Sequence, residues 1–201
     1  TNRVYYKGQL MTKVLKPMQE RMGVDISDEA MKKAIERHNE LCRVITEIGN
    51  FRKLDNPPIT GYEFHVIQLV SQVCPHEYIL PYLKETLEEL KKRKPEKKFP
   101  FRARVVVVGS EIADPEFTKL VEMCGAMVVA DRYCFGSFPG REEIEILEGE
   151  TAFDAICRHY LHWNQCARFM DGEKIQQRHD EAMRLVKEFK ADGIIYESMK
   201  F

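Results

Sequence analysis

The spacing of apolar positions changes period near the middle of the chain. In Leu10–Met22, the residues Met11, Val14, Leu15, Met18 and Met22 recur at three- and four-residue steps, which places them on one helical face. Gly23 suits the end of that helix, while Pro17 inside it requires a kink or a later start. A longer helix is predicted from Ser27, an N-cap followed by Asp28 and Glu29 in the first turn, with the stripe Met31, Ala34, Ile35, Leu41, Cys42, Ile45 and Ile48. His38 falls on that stripe. With no second ligand at helical spacing it reads as a hydrogen-bonded structural histidine. Thr60 and Glu63 have capping-box spacing, so a third helix runs to about Val73 and Pro75 ends it. A fourth, near Tyr78–Arg93, turns Ile79, Leu80, Leu83, Leu87 and Leu90 to one side and its charges to solvent.

The tract "KKRKPEKKFPFRAR" (Lys91 to Arg104) divides a helical section, residues 1–98, from residues 99–201. It carries eight basic residues against one acidic residue, Glu96, together with Pro95 and Pro100. Such a tract keeps a connection solvated and extended, and it also has the charge to attract phosphate. Beyond it the period shortens. "RVVVVG" (Arg104 to Gly109) is a continuous β-branched run of the kind found in parallel strands covered on both faces. Asp114 and Pro115 supply an N-cap and first-turn proline for a helix bearing Phe117, Leu120, Val121 and Cys124, which Gly125 closes. "AMVVA" (Ala126 to Ala130) is the next buried strand, completing a βαβ unit with a right-handed crossover. Helices near Ala152–Leu161 and Glu173–Lys190 follow, the second carrying Ile175, Ala182, Leu185, Val186 and Phe189 on one side. Gly193 then turns the chain into "IIYES", a third buried, parallel-type strand. The expected fold class is α/β: a helical N-terminal section, then a three-layer, open, mainly parallel sheet domain of the Rossmann or flavodoxin-like kind.

Ligands of such sheets gather beyond the carboxyl ends of the strands. The segments that reach this edge are "GSEIAD", "DRYCFGSFPGRE" and whatever follows "IIYESMKF". The second is long for a connection between strand and helix. Ser110, Glu111, Asp131, Arg132, Cys134 and Ser137 are the candidate ligand-facing residues, although Ser110 and Asp131 can equally close turns. The glycine fingerprint of dinucleotide binding, the P-loop and the serine-hydrolase elbow are all absent from the sequence. Hydrolysis of ATP by this chain is therefore not expected.

Composition narrows the partners. With 31 Lys and Arg against 32 Asp and Glu the net charge is -1, so no whole-chain field recruits nucleic acid or an anionic membrane. No apolar stretch approaches the ~20 residues of a membrane span, and the first residues lack a signal-peptide core, so the expected compartment is the cytoplasm. The six cysteines include no C-x-x-C pair and read mostly as small buried side chains, not as a disulfide framework or zinc site.

Taken in order, "DISDEAMKKAIERHNELCRVITEIGNFRK", "PPITGYEFH", "RARVVVVGSEIAD", "GAMVVADRYCFGS" and "ADGIIYESMKF" resemble the C-terminal half of a 2-hydroxyacyl-CoA dehydratase or benzoyl-CoA reductase subunit, from about Asp25 to Phe201. The resemblance implies an oxygen-sensitive lyase or oxidoreductase of anaerobic metabolism. In that family two paralogous subunits carry [4Fe-4S] clusters and bind an acyl-CoA thioester, and a separate ATP-hydrolysing iron-sulfur activator delivers one electron at very low potential. In the dehydratases a ketyl radical then expels the 2-hydroxyl group; in the reductases the electrons enter an aromatic ring. The cluster supplies the electron and an iron site, and the protein supplies dry positioning. The family's cluster ligands are expected upstream of Thr1 and just after Phe201, so no metal ligand is expected within the chain, which alone should hold no cluster and be inactive. By the same resemblance the six edge residues become substrate- or cluster-proximal candidates. Cys134 can face the cluster or the acyl group, or simply pack; Cys166 in "NQCARFM" is a second loop thiol, and the other cysteines read as core. The "DRYCFGSFPGRE" loop leans toward the benzoyl-CoA reductase side. A competing reading is a non-catalytic α/β module for small-molecule binding or subunit assembly.

Overall fold

The computed structural model describes residues 2–94, 101–109, 111–137, 142–162 and 172–198. The elements in chain order are α1 (Asn2–Leu10), a π-helical turn (Met11–Leu15), α2 (Lys16–Met22), α3 (Asp28–Asn50), a 3-10 turn (Phe51–Lys53), α4 (Gly61–Val73) and α5 (His76–Lys92). There follow β1 (Ala103–Val108), α6 (Pro115–Met123), β2 (Ala126–Arg132), α7 (Ala152–His162), α8 (Gly172–Glu188) and β3 (Gly193–Tyr196). Residues cluster into two compact units, 1–40 with 142–170 and 41–141 with 171–201. This grouping follows contacts, whereas the division at 98/99 follows composition.

In the first unit the helical path around Pro17 does not start late. It starts at Asn2, and the wider π-helical turn of Met11–Leu15 comes just before the proline. The proline ring takes the space of the carbonyl four residues back and removes one donor, and a widened turn accommodates both. Gly23 ends α2 at a φ of 67°, its N–H donating to the Gln19 carbonyl. Ser27 caps α3 by accepting the Ala30 N–H. The unit's core joins Met31 and Ile35 to Ile144, Ala152, Phe153, Ala155 and Cys157, with Tyr6, Leu10 and Leu15 packed on it.

The second unit has a helical cluster and a sheet. Leu41, Val44, Ile45 and Ile48 of α3 pack with Phe64 of α4 and with Leu83, Leu87 and Leu90 of α5. Thr60 and Glu63 form both bonds of the capping box at the start of α4. The sheet is parallel with strand order β2-β1-β3. One face, with Val106, Val108, Met127, Val129 and Ala130, is covered by Leu185 of α8 and by Phe189 just after it. The other, with Val105, Val107, Val128 and Tyr133, is covered by Phe117 and Val121 of α6.

Several positions depart from the pattern reading. Residues of β3 alternate between half-buried and exposed, with Tyr196 67% exposed, so β3 is a half-covered edge strand and not a buried one. On α6 the inward position belongs to Thr118, while Leu120 and Cys124 face solvent, because the sheet side of this helix serves a buried polar network. Ile175 on α8 is also exposed.

A bulge in β2 decides where the ligand-edge residues point. The register runs Val105↔Val128 and then Val106↔Ala130, leaving Val129 as an extra residue. Val129 and Ala130 consequently both join the α8 face. A bulge re-aims everything beyond it: Asp131 turns to the α4 and α6 side, and Arg132 to the α8 side.

Candidate functional site

At the carboxyl edge of the sheet the loop after β2 folds back on Asp131. This carboxylate is 3% exposed. Its Oδ2 accepts the Ser137 N–H at 2.6 Å, and its Oδ1 accepts the Ser137 hydroxyl at 2.9 Å. Gly136 sits so close that a Cβ there would overlap the Asp131 carboxylate and the Tyr133 ring, so the turn closes only with glycine. Two α4 glutamines hold the loop from outside: Gln68 Nε2 donates to the Ser137 hydroxyl at 3.0 Å and Gln72 Nε2 to the Gly136 carbonyl at 3.2 Å.

Beneath the loop lies a buried cation. Arg52, from the 3-10 turn after α3, is 1% exposed. Both terminal nitrogens are 3.4 Å from Asp131 Oδ1, and its guanidinium carbon lies 3.8 Å from the centre of the Phe64 ring, a cation-π distance. Burial pulls the guanidinium pKa down and Asp131 opposes that shift. Arg52 Nε has no hydrogen-bond partner among the described residues.

A neutral chain adjoins this pair. His65 Nδ1 lies 2.9 Å from the Thr118 hydroxyl, and the ring is 4.9 Å, centre to centre, from Tyr133. Burial lowers the His65 pKa, against Asp131 and the Ile112 carbonyl, so the imidazole is neutral at neutral pH. Its Nε2 meets no partner at hydrogen-bonding geometry among the described residues, although the Ile112 carbonyl still favours its proton. The Tyr133 phenol is pushed upward, chiefly by burial and then by Asp131, and stays protonated.

Of the six edge candidates, the fold joins Asp131 and Ser137 directly. Arg132 goes to the opposite face, 3.8 Å from Glu181 of α8. Cys134 is half-buried within the turn, and Glu111 is exposed in the segment after β1. Ser110 and Cys166 lie outside the described residues. Cys42 and Cys157 are buried as core thiols, but Cys74 is only half-buried and Cys124 is exposed. In the first unit His38 is hydrogen-bonded as a structural histidine would be, its Nε2 3.3 Å from the Glu142 carbonyl. Nearby His159 is held at a pKa of about 4 by burial and then by His38.

Pattern reading missed Arg52, His65, Gln68 and Gln72. A signal existed: Gly61, His65, Gln68 and Gln72 are spaced as one face of a helix, and three of the four carry polar groups at core spacing. Arg52 carried none, being one charge in a charged turn.

At the other end of the strands two adjoining cavities of about 570 and 560 Å³ share Thr60, Tyr62, Phe101 and Met127. The adjacent N-terminus of α4 is already saturated. Glu122 accepts the N–H groups of Gly61 and Tyr62 at 2.8 and 3.2 Å, so little capacity for an anion remains. Among the described residues no group of three or more His, Cys, Asp or Glu side chains is placed to hold a metal ion.

The family model of the 2-hydroxyglutaryl-CoA dehydratase D-component matches residues 1–201. The chain belongs to that family. A curated relative of this D-component family chain is the (R)-phenyllactyl-CoA dehydratase beta subunit of Clostridium sporogenes, 26% identical over 180 residues, which are 89% of this chain and 46% of the relative. The chain thus spans about half the length of the relative it matches. The parallel sheet with helices on both faces makes the fold α/β. No described helix is long and apolar enough to cross a membrane.

Proposed function

We propose that this chain forms one wall of the acyl-CoA cavity in an iron-sulfur dehydratase or reductase subunit. The observation that carries the reading is the loop of Asp131–Ser137, fastened at the carboxyl edge of a parallel sheet in a chain of the D-component family. Its part in the chemistry is to bind, to orient and to exclude water. Glu111, Cys134 and Ser137 are the wall residues nearest in role to substrate, and Ser110, the neighbour of Glu111 in sequence, is proposed with them. Asp131 and Arg132 support the wall from below, Asp131 through a buried ion pair with Arg52 and Arg132 through a half-buried one with Glu181.

In this proposal the [4Fe-4S] cluster of the full-length subunit takes its ligands from beyond the described residues and supplies the electron for ketyl-type dehydration or ring reduction. A paralogous subunit completes the cavity, and a separate ATP-hydrolysing iron-sulfur activator feeds it. The compartment is the cytoplasm of an anaerobic cell, and the 201-residue piece alone is inactive.

The test is anaerobic purification of the full-length subunit with its partner, followed by iron analysis and assay on 2-hydroxyacyl-CoA and aromatic acyl-CoA thioesters. Iron with activator-dependent loss of the 2-hydroxyl group supports the dehydratase reading. Turnover confined to aromatic thioesters moves the assignment to the reductase side. Iron-free protein that is inactive on every thioester supports the non-catalytic module instead.

A further inference from the structure

We infer that Arg52 is a positioning residue, setting the conformation of the Tyr133–Ser137 loop through Asp131. The inference rests on reading that loop as a wall of the acyl-CoA cavity.

The physical argument starts from what Arg52 does not gain. A buried ion pair is often no more stabilising than apolar side chains of equal volume. Here its hydrogen bonds to Asp131 and to the Val128 carbonyl are long, at 3.4 Å, and Nε has no partner among the described residues. A methionine could fill much the same space against Phe64. What apolar packing could not do is hold the Asp131 carboxylate oriented under the loop. That carboxylate takes both Ser137 groups, and Ser137 in turn takes Gln68. The bulge at Val129 is what turns Asp131 toward Arg52 at all. From Arg52 the bonded path therefore runs through Asp131 to Ser137, and the carboxylate lies so close to Gly136 that only glycine fits beside it. Loss of the pair should free the loop while leaving the fold in place. A cavity wall that must match a bound thioester is sensitive to such a change, because small misplacements cost binding and orientation.

The experiment uses the full-length subunit with its partner and the double variant Arg52→Met/Asp131→Asn, which removes both charges and keeps the volume. Arg52→Lys, which keeps the charge but not the planar fork, serves if the double variant does not fold. Two readouts are taken: the rate of Cys134 alkylation by iodoacetamide, followed by peptide mass spectrometry, and KM and kcat for an acyl-CoA thioester. The expected result is at least tenfold faster alkylation of Cys134, unchanged slow alkylation of Cys42 and Cys157, and at least a tenfold rise in KM with kcat changed less than threefold. Unchanged Cys134 alkylation overturns the inference. So does a parallel rise at Cys42 and Cys157, since that marks general loosening. If Cys134 responds as expected but the parent complex turns over no acyl-CoA, the positioning of the loop stands and the cavity reading fails.

Discussion

The sheet-containing unit buries an arginine at each end of its strands, and the two are held in opposite ways. Arg104, at the start of β1, donates to four carbonyls, those of Arg52, Leu54, Phe189 and Lys190, at 2.7 to 3.2 Å. It meets backbone throughout and ties the turn after α3 to the end of α8. Arg52, under the end of β2, meets a carboxylate at 3.4 Å and an aromatic face, with one nitrogen left over. The first arrangement satisfies many backbone acceptors, and Asp55 and Asp192 act on its guanidinium by charge, with no hydrogen bond from it to either among the described residues. The second concentrates its effect on one side chain, and through it on one loop. The difference separates an arginine that holds the fold from one that holds the edge where ligands of such sheets bind.

Removing each arginine sharpens that contrast. Arg52→Met leaves a buried carboxylate without its cation and should cost about 3–5 kcal/mol in urea unfolding. Adding Asp131→Asn should restore at least half of the loss. Arg104→Met strands carbonyls instead of a charge and should cost about 2–3 kcal/mol, with no single carboxylate substitution restoring it. If Asp131→Asn fails to rescue Arg52→Met, the pair is not what holds Asp131, and the two arginines are alike.

Glycines extend the comparison at somewhat smaller size. Gly61 begins α4 where a Cβ would lie 2.6 Å from both the Cβ and the carbonyl oxygen of Val128. Backbone cannot yield there, so Gly61→Ala should undock the helix start and cost about 3 kcal/mol. Gly136→Ala meets side chains of its own loop, which can open. Its expected cost is about 1 kcal/mol in global stability, with faster alkylation of Cys134 as the larger effect. Equal global costs for the two variants would erase the distinction between a fold contact and a loop contact.

How much of this was legible in the sequence follows from what kind of interaction each part uses. The capping box at Thr60 and Glu63, the N-cap at Asp114, the parallel direction of the strands and the α3 stripe appear as read, whereas the α6 face and the burial of β3 do not. The π-helical turn before Pro17 was not legible, because a proline announces a disturbance but not its form. The bulge at Val129 was hidden in "AMVVA", where every residue is apolar and a shift of register leaves no trace in composition. That shift sends Asp131 and Arg132 to opposite faces, so adjacent candidates in one motif ended up with different neighbours. Arg52 was beyond sequence reasoning, since its partners lie 12 and 79 positions away and only the folded chain joins them.

The smallest effect concerns a carboxylate at the amino end, Glu122, the counterpart of Asp131. It accepts the N–H groups of Gly61, Tyr62 and Val128, yet burial dominates and raises its pKa above the ordinary 4.5. A raised folded value means that the native state retains a proton which the unfolded chain releases. Its contribution to stability is therefore full below about pH 4.5 and declines as pH rises through the higher native value. Glu122→Gln removes this titration, and because the amide offers one acceptor oxygen where the carboxylate offers two, it should cost about 1 kcal/mol at neutral pH. Urea unfolding of parent and variant across pH 4 to 7 reads both consequences, the parent losing stability relative to the variant as pH rises. The opposite relative slope would mean that the three backbone donors outweigh burial. The amino end would then hold its carboxylate by favourable charge, as the Arg52 pair holds Asp131, and the contrast between the two ends would narrow to the arginines alone.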